Sequence, residues 1–185
     1  DIFKHIFKRQ RTEEQLRKAL EELKKAQIKF TTKKARGWID VGGTRMALVD
    51  IPGCWYGINN LVDLLAGKET SRRVMFESGN NERFTLSALQ SGFITRSNQG
   101  FLAAVDCYSE AGFGDFKVKE IDLNKGYVLI TCKDSFEGWS FVANKETAKE
   151  PVCDYSRGVL LSFMQKLSKL KNLNCVETQC LGNGA

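Results

Sequence analysis

The residues with the clearest chemical potential are two cysteines and a glutamate near the end of the chain. Glu177 and Cys180 are spaced as Glu-x-x-Cys, and Cys153 lies just before the predicted helix that leads to them. A strand edge that runs into a turn can aim Glu177 and Cys180 at one point, and the helix can fold Cys153 back onto it. Two thiolates and a carboxylate are ligands that zinc accepts at tetrahedral geometry. The alternative is that both cysteines are ordinary buried thiols.

The sequence lacks the residue constellations of the common enzyme classes. Its single histidine, His5, lies in a charged N-terminal segment, so histidine-based nucleophile activation is not supported. It contains no G-x-S-x-G, P-loop, G-x-G-x-x-G or H-E-x-x-H motif. Gly112-Phe113-Gly114 is too short to predict phosphate binding and is interpreted as a helix-to-strand turn. We therefore expect a binding domain and not an enzyme.

The positive charge of the chain is concentrated at its N-terminal end. Residues 1–36 contain 12 Lys/Arg and 5 Asp/Glu, whereas residues 37–185 contain 16 and 17, and the net charge of the whole chain is +6. Nucleic-acid binding depends on clustered cations that displace counterions from phosphates. Because residues 37–185 provide no such cluster, we expect no direct nucleic-acid contact. The basic segment is interpreted as a solvated helix face.

Length and composition indicate an ordinary globular domain with a substantial core. The chain has 185 residues, of which 42% are hydrophobic and 27% charged. No apolar run approaches the ~18 residues that a membrane span needs, and the charged N-terminal segment does not resemble a signal peptide. These features predict a cytoplasmic protein whose 6 cysteines are thiols or metal ligands. Four of them have apolar neighbours and are expected to be small core residues: Cys54, Cys107, Cys132 and Cys175.

Residues 1–36 are predicted to form a basic helical arm, with its clearest helix over residues 12–30. Thr12 and Gln15 form a capping box at its start. Apolar residues at short coiled-coil spacing follow at Leu16, Leu20, Leu23 and Phe30. Two alternatives stay open: the helix pairs with a second copy in a homodimer, or it packs on its own domain, residues 37–185.

Hydrophobic periodicity and turn residues predict alternating hairpins and helices after the arm. The expected helices cover 55–66, two stretches around 69–91 and 99–111, and 156–170. The expected strands are a hairpin over 37–51 turning at Gly42-Gly43, a second hairpin of 116–121 and 127–132, and single strands at 139–143 and 174–178. This order favours an α+β fold, with a mostly antiparallel sheet packed on helices.

Several stretches of the chain resemble the sensor domains of xylene- and phenol-responsive, enhancer-binding transcription activators. These stretches are Gly37-Trp38-Ile39-Asp40-Val41, Thr44-Arg45-Met46, Asp134-Ser135-Phe136-Glu137, Pro151-Val152-Cys153 and Glu177-Thr178-x-Cys180. The last part resembles a vinyl-4-reductase-type domain, which implies a fold like that of a transport-complex subunit. The resemblance spans residues 37–185, and its Pro-Val-Cys and Glu-Thr-x-Cys segments are the most specific.

The resemblance implies a structural zinc site and a dimer. In that family zinc is held by the cysteine after Pro-Val, by the glutamate and cysteine of Glu-Thr-x-Cys, and by one more cysteine after a Gly-rich turn. Cys153, Glu177 and Cys180 match the first three positions, and the fourth would fall beyond Ala185.

The resemblance also implies an effector sensor, in which a small aromatic molecule binds in an interior pocket and relieves repression of a downstream ATPase. At three ligand positions of the family this chain has Cys132, Val159 and Cys175 instead of aromatic residues, which predicts an effector larger or less polar than phenol. The candidate lining residues are the chain's own aromatics: Trp55, Tyr56, Phe93, Phe101, Tyr108, Trp139, Tyr155 and Phe163. Phe136 belongs to the same pool, and both Phe136 and Phe163 also suit a structural role.

Two other classes of function fit the same residues. A cysteine-based redox sensor would use the thiols of Cys153 and Cys180 directly, and it requires them to be reactive and accessible. A ligand-free dimerisation or assembly domain would have a large interface and no interior ligand.

Overall fold

The computed structural model describes residues 39–41, 44–47 and 49–184. The chain divides between Ala47 and Leu48 into two parts, which are described separately. The strands are β1 (Ile39–Val41), β2 (Thr44–Met46), β3 (Asp115–Asp122) and β4 (Tyr127–Lys133). The α-helices are α1 (Tyr56–Ala66), α2 (Lys68–Asn80), α3 (Phe84–Gln90), α4 (Asn98–Tyr108), α5 (Phe136–Ala143) and α6 (Asp154–Ser168). Helical turns of other types cover Ile51–Trp55, Ser109–Phe113 and Leu181–Asn183.

The part that ends at Ala47 contains one short antiparallel hairpin. β1 and β2 pair with Asp40 opposite Arg45, as the predicted hairpin requires, although β2 ends at Met46 and not at Ile51. The helix predicted over residues 12–30 and the turn at Gly42-Gly43 lie outside the described residues.

The second hairpin confirms the sequence prediction closely. β3 and β4 are antiparallel, with Phe116 opposite Cys132 and a register irregularity between Val118 and Glu120. The carboxylate of Asp122 stabilises the turn between them, because it accepts hydrogen bonds from the backbone N–H groups of Asn124 and Lys125 at 3.1 and 3.2 Å. In this turn Gly126 has a φ of 68°, a conformation that glycine adopts without steric cost.

Two glycines bring helices α2 and α6 into backbone contact. A Cβ added at Gly79 would lie 2.1 Å from the carbonyl oxygen of Tyr155, and one at Gly158 would lie 2.0 Å from that of Phe76. No side chain larger than a hydrogen atom fits between the helices at these positions, so the two backbones pack directly against each other. Helix α6 is thereby fixed as the central element of this part of the chain.

The hydrophobic core lies where α6 meets α4 and the β3–β4 hairpin. Its largest buried side chains are Phe101 on α4 and Phe163 on α6, whose ring centroids are 6.5 Å apart. Burial of this set is the main source of stability, at ~25 cal/mol per Å² of apolar surface. Glu82 connects the loop before α3 to helix α6, because its carboxylate accepts hydrogen bonds from Lys166 and Ser162 at 2.7 and 3.0 Å.

Two strand predictions are wrong. Residues 139–143 belong to helix α5, because Ser135 caps a helix by accepting a hydrogen bond from the Gly138 N–H at 3.2 Å. Residues 174–178 form no strand with any described residue; the segment instead runs along α6, where Arg157 donates to the carbonyl of Cys175 at 3.0 Å. Both stretches contain residue types that favour strands, such as Trp, Phe, Val and Thr.

The fold is α+β with antiparallel strand pairing, as predicted. The pairing is confined to two separate two-stranded hairpins among the described residues, and helices supply most of the core. None of the described helices is long and apolar enough to cross a membrane.

Candidate functional site

The three predicted metal ligands come together in the structure. The ligand atoms of Cys153, Glu177 and Cys180 all lie within 4.8 Å of one another, and the two cysteine sulfurs are 3.9 Å apart. Both cysteines are buried and Glu177 is half-buried. Cys153 immediately precedes α6, and Cys180 immediately precedes the turn Leu181–Asn183. These residues can hold a metal ion.

The spacing of the two sulfurs matches that of two cysteine ligands of tetrahedral zinc. Two Zn–S bonds of about 2.3 Å at the tetrahedral angle place their sulfurs about 3.8 Å apart, close to the 3.9 Å between Cys153 and Cys180. A disulfide requires about 2.05 Å between the sulfurs, and both cysteines are free thiols. The Glu177 carboxylate is held beside them by the backbone N–H of Cys153 at 3.0 Å.

Hydrogen bonds around the sulfurs shift the pKa values of the two cysteines in opposite directions. The backbone N–H of Val152 points to the sulfur of Cys180 at 3.4 Å, and the Ser135 hydroxyl lies 3.2 Å from the sulfur of Cys153. The hydrogen bond between the two sulfurs lowers the pKa of Cys180 and, together with burial, raises the pKa of Cys153. Cys153 is therefore the more firmly protonated of the two thiols without a metal, and a bound cation would displace the protons of its thiol ligands.

A buried carboxylate next to this site caps helix α6. Glu137 on α5 accepts hydrogen bonds from the backbone N–H groups of Tyr155 and Ser156, at 2.8 and 2.9 Å. Its side chain is 3% exposed. Burial raises the pKa of Glu137 to about 8, against the opposing effect of the hydrogen bonds from Ser156 and Tyr155. The first turn of α6 thus has both a metal-ligand candidate and a buried acid at its start.

Five aromatic rings lie against this end of α6 and are here called the aromatic cluster: Trp55, Tyr108, Phe113, Phe136 and Tyr155. Trp55 packs edge-on against Phe136 and Tyr155, with centroid distances of 4.9 and 5.4 Å. Phe113 stacks on Tyr108 at 4.3 Å and packs edge-on against Phe136 at 5.2 Å. The rings come from a turn before α1, the end of α4 and its following turn, α5 and α6.

Polar atoms lie within the aromatic cluster. The Tyr108 hydroxyl is hydrogen-bonded to the Ser156 hydroxyl at 3.1 Å, and burial raises the pKa of Tyr108. The indole N–H of Trp55 is buried and has no hydrogen-bond partner among the described residues. A buried donor without a partner costs ~1–3 kcal/mol. A ligand that offers a hydrogen-bond acceptor to this N–H would remove that cost.

The structure brings some of the predicted effector-site residues together and separates others. Trp55, Tyr108 and Tyr155 belong to the aromatic cluster. Phe101 and Phe163 are fully buried in the main core, where Phe163 packs edge-on against Tyr108 at 6.1 Å. Tyr56 packs on Phe141 at 5.4 Å, outside the cluster. Phe93 and Trp139 are 50% and 42% exposed.

Sequence reasoning missed Phe113 and misjudged two cysteines. Phe113 was interpreted as part of a turn, yet its ring contacts three members of the aromatic cluster. The sequence signal that could have identified it is a large aromatic residue between two glycines, in a stretch too short to form a helix or strand. Cys54 and Cys132, which have apolar neighbours in sequence, were expected in the core but are exposed.

Comparison with known proteins identifies the fold. No protein-family model and no curated protein matches the chain. Among solved structures, the chain is similar to the crystal structure of the phenol-responsive sensory domain of the transcription activator PoxR with phenol. The TM-score is 0.67 at 21% sequence identity, over 92% of this chain and 85% of that one. The fold expected from the motif resemblance is therefore confirmed.

Proposed function

We propose that this chain is an effector-binding sensor domain of a transcription regulator and that it binds a small hydrophobic or aromatic molecule at the aromatic cluster. The observation that carries the proposal is the aromatic cluster itself, which joins five rings and an indole N–H with no partner among the described residues, in a fold similar to that of a phenol-responsive sensory domain. An apolar interior with a few oriented polar groups is typical of small-molecule sites.

The rings of the cluster belong to separate segments of the chain, so they can move apart to admit a ligand. Trp55 lies in a turn before α1, Phe113 in the turn after α4, and Phe136 on α5. Edge-on and stacked ring contacts contribute ~0.5–1.5 kcal/mol each, and an aromatic ligand that enters among them replaces these contacts with equivalent ones. A neutral planar molecule with an acceptor for the Trp55 N–H is the occupant that this surface favours.

Paired tyrosine variants test this assignment by calorimetric titration with phenol, toluene and naphthalene as probes. Tyr155→Ala removes a ring from the aromatic cluster, whereas Tyr127→Ala removes a tyrosine that is 49% exposed on β4. We expect Y155A to weaken binding of whichever probe the wild type binds by tenfold or more, and Y127A to leave it unchanged. Equal binding by all three proteins would place the ligand elsewhere.

Zinc is the metal we propose for Cys153, Glu177 and Cys180. The sulfur spacing and the mixed sulfur and oxygen donors support it. A bound zinc ion would supply a structural crosslink between the start of α6 and the C-terminal segment. Elemental analysis of purified protein tests the identity of the metal: one zinc per chain, lost in Cys180→Ser, is expected, and a metal-free wild type would contradict it.

A redox sensor built on the same cysteines is the second candidate, favoured by the 3.9 Å between their sulfurs. Alkylation of native protein with and without a chelator separates the two functions. A zinc site protects Cys153 and Cys180 until the chelator removes the metal, whereas a redox pair reacts without it. Protection that depends on metal supports the sensor with structural zinc.

The sensor domain is proposed to form a homodimer. To signal to an output domain, the ligand needs only to favour one of two conformational states of the sensor, by ~1–3 kcal/mol. Analytical ultracentrifugation of the whole chain is expected to give a dimer with and without effector. A dimer that binds no probe would instead favour a ligand-free assembly domain.

A further inference from the structure

The hydroxyl of Ser135 makes two contacts that belong to different parts of the molecule. It accepts a hydrogen bond from the Gly138 N–H at 3.2 Å and so caps helix α5. It also lies 3.2 Å from the sulfur of Cys153. Ser135 is 6% exposed, so water does not compete for either contact.

The direction of both hydrogen bonds follows from simple valence. A cysteine sulfur that binds a metal has lost its proton and can only accept. Ser135 must then donate its single hydroxyl proton to Cys153, and its lone pair receives the Gly138 N–H. In the metal-bound form the serine thus donates to Cys153 and accepts from Gly138, whereas beside a Cys153 thiol it can only accept the S–H or donate to a much weaker acceptor.

The backbone around Ser135 is arranged to deliver this hydroxyl. The preceding residue, Asp134, has a φ of 52°, in the left-handed region that few residues other than glycine adopt. On the other side, a Cβ added at Gly138 would lie 3.0 Å from the Cβ of Leu181 and 3.1 Å from the Gly182 nitrogen. The first turn of α5 is therefore packed against the turn that follows Cys180.

We propose that Ser135 is a positioning residue of the metal site, which orients the Cys153 thiolate and ties helix α5 to the bound ion. This inference rests on the proposed metal site. Helix α5 also presents Phe136 to the aromatic cluster and Glu137 to the start of α6. The serine thus connects the metal ligands to the helix that borders the proposed effector site.

Cobalt(II) titration of the whole chain tests the proposal, because thiolate-to-cobalt absorption reports the sulfur ligands directly. In Ser135→Ala we expect cobalt affinity to fall by about 10–100-fold, the usual loss when a partner of a metal ligand is removed, and the thiolate-to-cobalt band to shift. Ser135→Thr keeps a hydroxyl and should restore both. Ser140→Ala is the matched control: Ser140 is 1% exposed on the same helix, and its hydroxyl donates to the Glu137 carbonyl at 2.6 Å, not to a sulfur.

A purely structural role for Ser135 predicts a different result. Loss of the helix cap would lower thermal stability and leave the affinity and the absorption band at their wild-type values, and that outcome would overturn the proposal. If S135A does not fold, Ser135→Gly replaces it, because glycine is tolerated at helix N-caps and also lacks the hydroxyl. A wild-type chain that binds no cobalt would refute the metal site itself, and a wild type that binds as S135A does would refute only the role of Ser135.

Discussion

The carboxylate of Glu137 accepts the backbone N–H of Ser156 at 2.9 Å, so a side chain of helix α5 caps helix α6. The first N–H groups of any helix lack partners within it, and here a residue 19 positions away provides one. Glu137 lies at the boundary of the proposed metal site and the aromatic cluster. Its ionisation is therefore linked to the stability of that region.

The stability contributed by Glu137 should fall as pH rises. Its pKa is raised to about 8 in the folded chain, from an ordinary value of 4.5, chiefly by burial. Folding then favours the neutral acid, so the contribution is complete below about pH 4.5 and is lost as pH rises through 8. Denaturant unfolding of wild type and Glu137→Gln at several pH values measures it. The stability of the wild type relative to E137Q should drop by on the order of 4 kcal/mol across this window, and a difference that stays constant with pH would contradict the expectation.

Removal of either thiolate ligand should abolish tight metal binding. Cys153→Ser and Cys180→Ser each leave two of the three ligands that the structure places within 4.8 Å of one another. We expect the thiolate-to-cobalt absorption to disappear in both variants. Cys54→Ser is the control, because Cys54 is exposed and outside this set; full absorption in C153S or C180S would show that other cysteines bind the ion.

Replacement of Gly158 by alanine should destabilise the chain. The new Cβ would lie 2.0 Å from the carbonyl oxygen of Phe76, which forces α2 and α6 apart. Overpacking of this kind costs ~1–3 kcal/mol. Gly57→Ala on helix α1 is the matched control, since nothing lies within 4 Å of its added Cβ, and it should be neutral or stabilising by up to ~1 kcal/mol. Denaturant unfolding of both variants measures the difference, and equal midpoints would argue against the close helix contact.

Cys107 should react slowly with alkylating reagents. Burial, Glu110 and Asp106 raise its pKa to about 11, so very little thiolate is present at pH 8. Peptide mapping after brief iodoacetamide treatment is expected to find exposed Cys54 modified first. Modification of Cys107 at the same rate would show that the end of α4 opens in solution.

The proximity of Cys153, Glu177 and Cys180 could be predicted from the sequence, because all three residues lie at fixed positions relative to one helix. Cys153 ends the loop before α6, and the Glu-x-x-Cys segment returns along it, so a single helix length decides whether the ligands meet. The β3–β4 hairpin was equally predictable, since the turn residues Asn124-Lys125-Gly126 specify its register.

The aromatic cluster could not be predicted in the same way. Its rings come from four segments, and which aromatic residue faces the cluster depends on tertiary packing that has no local signature. Phe101 and Tyr108 lie on one helix and both belong to the main core, yet only Tyr108 also stacks on a ring of the cluster. The prediction of a strand at residues 139–143 was wrong because the helix cap at Ser135 outweighs the strand propensity of the aromatic and β-branched residues that follow it.

The most direct test of the sensor assignment is the thermal unfolding of the metal-loaded chain against a panel of phenol, toluene, m-xylene, naphthalene and biphenyl. A ligand at 100 times its Kd stabilises the folded state by about 2.7 kcal/mol, which for a domain of this size raises the midpoint by about 5–10 °C. We expect at least one member of the panel to produce a saturable shift of this size, and Tyr155→Ala to lose it. A midpoint unchanged by every compound would contradict the proposal that the aromatic cluster is an effector site.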